Sequence, residues 1–121
     1  MKNNLKLAEA EAKFADLIWE SAPIESPELV KIAERKMQWK KSTTYTVLKK
    51  LCEKGIFKNE NALVTVLITK AEFYAKQSRN YVEETFEGSL PKFFAAFVSN
   101  EKLNSKQAEE LKRLIDEHKE D

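Results

Sequence analysis

Cysteine, histidine, glycine and proline are all scarce in this chain, and each shortage removes a class of protein. A single cysteine, Cys52, leaves no internal disulfide framework and no zinc site built on cysteines alone. One histidine, His118, removes His-rich metal sites and His–His relays. Neither a metal nor a cofactor is expected. With Gly 2 and Pro 3 in 121 residues, the chain lacks the turns that a β-sandwich or barrel needs. Collagen-like and low-complexity readings fall on the same counts. No glycine-rich loop is available to cradle phosphates, so nucleotide chemistry has no support. Nor does any stretch approach the roughly 20 apolar residues of a membrane span. The opening segment, MKNNLKLAEAEAK, is polar and carries no apolar core of a secretory signal, so the expected location is the cytoplasm.

What is present is charge and enough apolar residues for a core. Hydrophobic residues make up 42% of the chain and charged residues 34%, the latter above the usual quarter. The formal net charge of +1 conceals an asymmetry. Between residues 35 and 58, eight Lys/Arg stand against Glu53 alone, a local balance of +7. Whole-chain charge says nothing about nucleic acid here, whereas this local block does.

Hydrophobic spacing reads as helices around one β-rich interruption. Leu7 to Trp19 places Leu7, Ala10, Phe14, Leu17 and Ile18 at three- and four-residue steps. Ile24 lies in a short link that suits a brief edge strand. Ser26-Pro27-Glu28 reads as the start of a second helix, with Ser26 as its cap and Leu29, Val30, Ile32 and Ala33 on its buried face. Ser42 is the expected cap of a third helix, which Gly55 stops. Ile56 to Lys58, the turn residues Asn59-Glu60-Asn61, and the β-branched run Leu63 to Ile68 read as a hairpin. Three further helices are expected: one from Thr69 to Phe86, broken by Gly88; one opened by Pro91; and one capped by Asn104 with Gln107 three residues on. Helix, edge strand, helix, helix, hairpin is the order of a winged helix–turn–helix. The expected fold is therefore mainly α, with that domain over residues 1–70 and a helical region over 71–121.

The third helix is the candidate for chemistry. Thr44, Val47, Leu48 and Leu51 share its core face, and Thr43, Tyr45, Thr46, Lys49 and Lys50 share the opposite one. Hydroxyls, an aromatic ring and lysines on one helix side suit a DNA major groove: the first two reach base edges, and the lysines neutralise phosphates. Lys40, Lys41 and Ser42 stand at the end that approaches the backbone, where free N–H groups also attract phosphate. Lys54 and Lys58 extend the cationic set. The same face also fits a winged-helix protein-interaction module that binds an acidic partner. Catalysis finds no comparable support. Cys52 has no histidine or second cysteine near it in sequence, and Glu109-Glu110 and Asp116-Glu117 read as helix-surface acids. No enzymatic activity is expected. In the tail, Phe86, Phe93, Phe94, Phe97, Val98, Leu111, Leu114 and Ile115 are more large apolar groups than a short segment covers by itself, which points to a homodimer.

Trp39 to Gly55, WKKSTTYTVLKKLCEKG, resembles the recognition-helix block of the penicillinase-repressor family of bacterial transcriptional regulators. Trp39, Thr43, Thr46, Val47, Leu48, Lys50, Leu51 and Lys54-Gly55 match the pattern, and Tyr45 takes its variable, base-reading place. The opening helix LAEAEAKFADLIW and the tail FFAAFVSNEKLNSKQAEELKRLI resemble the family's first helix and its dimerisation helices, so the likeness runs over about residues 7–117. It implies a homodimeric repressor of a palindromic operator, with antibiotic-resistance or related genes under its control. It also implies an inducing protease as partner. Ala96-Phe97 occupies the place of the family's proteolytic switch, without the usual asparagine. Thr44 replaces an aliphatic residue, the wing lacks the family's Arg and Tyr, and the C-terminal cysteine pairs of copper-responsive members are absent.

Overall fold

The computed structural model describes residues 7–120, and residues 1–6 of the expected first domain lie outside them. The elements run α1 (Glu9–Ser21), β1 (Ile24–Glu25), α2 (Ser26–Met37), α3 (Lys41–Glu53), β2 (Phe57–Glu60), β3 (Leu63–Val66), α4 (Lys70–Phe86), α5 (Leu90–Val98) and α6 (Ser105–His118). Their order is that of a winged helix followed by a helical region. Two compact units divide between Asn80 and Tyr81, inside α4. Phe73, in the first turns of α4, is fully buried in the core of the first unit.

That core is drawn from every element of the first unit except β1. Phe14, Ala15 and Ile18 come from α1, Leu29 and Ala33 from α2, and Leu48 and Leu51 from α3. Ile56, Phe57, Val64 and Phe73 complete it. Both tryptophans pack rather than bind. Trp39 meets Phe14 at 5.1 Å between ring centroids. Trp19 lies against Phe57 and Phe73, and its indole N–H donates to the Ile68 carbonyl at 3.0 Å. Such aromatic pairs add about 0.5–1.5 kcal/mol beyond the area they bury.

The sheet is antiparallel, in the order β1-β3-β2. Ile24 pairs with Val64, and Phe57 pairs with Val66. The hairpin turns at Asn61-Ala62, both in left-handed backbone with φ 54° and 64°, which is the form that matches strand twist in a two-residue turn. The strand therefore extends through Asn59 and Glu60, which the composition had marked as turn residues. The Ser26 N–H donates to the Ala62 carbonyl at 2.8 Å, tying the wing to the start of α2. Gly55, at φ 79°, ends α3 as its position requires. Two expected caps are corrected. Glu25, not Ser26, caps α2, and Lys40, not Ser42, caps α3. Both helices begin earlier than a hydroxyl cap would allow.

The second unit contains α5, α6 and the end of α4. Ser89 caps α5 by accepting the Lys92 N–H at 3.1 Å, and Asn104 caps α6 by accepting the Gln107 N–H at 2.8 Å. Tyr81, Phe86, Phe93 and Phe97 form a chain of ring contacts. Even so, neither α5 nor α6 buries a single residue. An apolar groove of about 370 Å³ lies open between Phe93, Phe94 and Phe97 on one side and Leu103, Leu111 and Leu114 on the other. The Ala96–Phe97 bond sits in the last turn of α5, both residues exposed.

Candidate nucleic-acid interface

The geometry of α3 follows from its sequence pattern. Every third or fourth residue is apolar or small enough to enter the core, and Thr44, Leu48 and Leu51 are buried. Thr44 is a polar residue at an aliphatic place, and the helix itself satisfies it: Oγ1 donates to the Lys40 carbonyl at 3.3 Å. The buried side fixes the roll of the helix, and that roll sets the outward side. Lys40, Lys41, Ser42, Thr43, Thr46, Lys49 and Lys50 are all exposed.

The start of α3 is cationic and carries no acid. A helix N-terminus carries a partial positive charge and favours acids. α1 has Glu9 and Glu11 in its first turn and α4 has Glu72. α3, like α5 and α6, has no acid there, and its entry residues are Lys40 and Lys41. This arrangement costs folding stability and favours an anion arriving from outside. Among the described residues, Lys40, Lys41, Lys49 and Lys50 make none of the ion pairs within the chain.

Three side chains of the expected set stand apart from this surface. Tyr45 is half-buried against the core, and its hydroxyl donates to the Ser26 Oγ at 3.3 Å, so the ring spans α3 and α2 instead of projecting from the exposed face. Its position on the helix, one residue after buried Thr44, puts it on the flank between core and solvent. Lys54 is half-buried and lies 3.6 Å from Glu11 of α1. Lys58 reaches Glu60 at 3.0 Å across the outer face of the wing. Sequence reasoning missed Ser26, Glu11 and Glu60 as the partners. The first two lie far away along the chain, while Glu60 was visible as an acid at the hairpin. Cys52 is half-buried, and burial raises its thiol pKa against the opposing backbone hydrogen bond from Asn59, so it is not an activated nucleophile.

The first unit thus combines a helix–turn–helix core, a wing and a cationic recognition-type helix. The match to the penicillinase repressor family spans residues 7–117. The chain belongs to that family. Its members are transcriptional repressors, not enzymes. The penicillinase repressor of Bacillus licheniformis is 24% identical over 123 residues, covering 98% of this chain and 96% of that protein. The methicillin resistance regulatory protein MecI of Staphylococcus aureus strain Mu50 is 22% identical, covering 91% of this chain and 93% of its own. The penicillinase repressor of Staphylococcus aureus is also 22% identical, with 93% of each chain covered. As a member of the penicillinase repressor family, the chain is a winged-helix transcriptional repressor. No helix among the described residues is long and apolar enough to cross a membrane.

Proposed function

We propose that this repressor binds a palindromic duplex operator as a homodimer, in the cytoplasm, and controls antibiotic-resistance or related genes. α3 enters the major groove. Thr43, Thr46 and Lys49 face the base edges, while Lys40, Lys41, Ser42 and Lys50 meet phosphates along the groove walls. Tyr45 sets the angle of α3 against α2 through Ser26, and so acts on recognition from behind the helix. Two copies pair through Phe93, Phe94, Phe97, Val98, Leu111, Leu114 and Ile115, with Phe86 at the edge of the patch, and the pairing presents two recognition helices to two half-sites. An inducing protease that cut Ala96–Phe97 would sever α5 and dismantle this pairing.

The observation that carries the reading is the start of α3: two lysines, no acid and a row of exposed hydroxyls on a helix held firmly by its opposite side. Selection of bound duplexes from a random library tests it. Recovery of two inverted half-sites, with centres one helical turn or a multiple apart, is expected. Recovery of no shared sequence would overturn it.

A further inference from the structure

The wing carries a feature that the recognition helix does not explain. Lys58 and Glu60 are two residues apart on β2 and so face the same way. Their side chains meet at 3.0 Å, with exposures of 50% and 66%. The register places Glu60 opposite Leu63, and Leu63 in turn opposite Glu25 on β1. Directly paired residues share a face of the sheet. The outer face of the wing therefore carries the row Glu60, Leu63 and Glu25 across its three strands, with Leu63 exposed between the acids and Lys58 beside Glu60 on β2. In a winged helix the hairpin runs beside the DNA backbone. An acid there repels phosphate, and here the acid also occupies the only lysine of the hairpin.

Resting on the DNA-binding reading above, we propose that the Glu60 carboxylate acts as an internal substitute for a DNA phosphate. It holds Lys58 in an ion pair within the wing and keeps the wing from adding to operator affinity. Glu60 is thus an affinity-setting residue: the complex depends on α3 alone and dissociates more readily than one gripped by both elements. Removing the carboxylate frees Lys58 for the backbone. Each phosphate that a lysine neutralises adds about 0.9 to the slope of log affinity against log salt, so one new contact per subunit adds about two units per dimer.

The test is a salt titration of operator binding by the full chain, comparing the wild type with Glu60→Gln and with the double variant Lys58→Ala/Glu60→Gln. Glu60→Gln is expected to tighten binding about 10-fold near 0.1 M salt and to steepen the slope by about two units per dimer. The double variant is expected to lose that gain. Both side chains are exposed, so thermal midpoints report whether either variant has lost its fold. An unchanged affinity and slope for a folded Glu60→Gln, or a gain that survives in the double variant, overturns the proposal. Lys50→Ala serves as the control for the underlying reading. If it weakens binding while Glu60→Gln does nothing, α3 reads DNA and the wing claim alone fails. If neither has any effect, operator binding through α3 fails with it.

Discussion

Lys41 states the conflict between folding and binding at the scale of one residue. Its ammonium group lies at the positive end of a helix dipole, in a turn with no acid to offset it. Replacing it by glutamate reverses the charge at a site where acids contribute about 0.3–1 kcal/mol. Lys41→Glu is therefore expected to raise the thermal midpoint of the free protein and to weaken DNA binding, measured by calorimetry and by mobility shift on the same preparation. Improvement or loss of both together would contradict the role given to this position. The neighbouring residues show what a helical wheel can and cannot read. The wheel separates Thr44, Leu48 and Leu51 from Thr46, Lys49 and Lys50, because period alone decides which residues can reach the core. It places Tyr45 with the exposed group, because nothing local reveals that a hydroxyl on α2 lies within reach of the phenol. The contact of Lys54 with Glu11 is hidden for the same reason: Glu11 is a neighbour only after α1 and α3 have packed.

Elements show the same division between local and distant causes. Gly55, Asn104 and Pro91 mark helix ends through backbone conformation or a side chain acting within one turn, and each does so where the sequence places it. The hairpin turn starts two residues later than expected because the strand twist selects the two-residue turn at Asn61-Ala62, which leaves Glu60 paired with Leu63. The start of α4 is closed by a reciprocal pair. The Glu72 N–H donates to Thr69 Oγ1 at 3.1 Å, and the Thr69 N–H donates to Glu72 Oε1 at 2.9 Å. The hydrogen bond from the Thr69 backbone, followed by that from its side chain, holds the Glu72 carboxyl below the ordinary carboxylate range. A depressed folded-state pKa contributes stability that is present above the unfolded value of about 4.3 and is lost as pH falls through the folded value. Acidification below that value is thus expected to loosen the first turn of α4. Glu72→Gln is expected to lower stability near neutral pH and to flatten its dependence on acid, followed by urea unfolding at a series of pH values. An acid limb identical to the wild type would show that the cap contributes nothing.

At the scale of the molecule, the tail has no core of its own. Phe97 is 59% exposed and Ile115 62% exposed, on helices with no buried residue. Covering such groups contributes about 1.5–3 kcal/mol each. Because a single chain leaves most of Ile115 exposed, replacing it disturbs little packing within that chain. Ile115→Glu is expected to leave the first unit folded and to shift the mass in solution, by light scattering, from two chains to one. Operator affinity should fall with it, since one half-site replaces two. An unchanged mass would assign the apolar tail to another purpose. The abundance of large apolar residues in the tail was legible from composition; their exposure required the fold.

In the proposed complex the cationic side of α3 meets DNA phosphates twice over, once for each subunit. The most direct measurement is the salt dependence of operator binding for the wild type and Lys50→Ala. Two lost contacts should make the slope shallower by about two units per dimer, with a similar loss on scrambled duplex. A slope that does not change would contradict the claim that this helix is what the DNA touches.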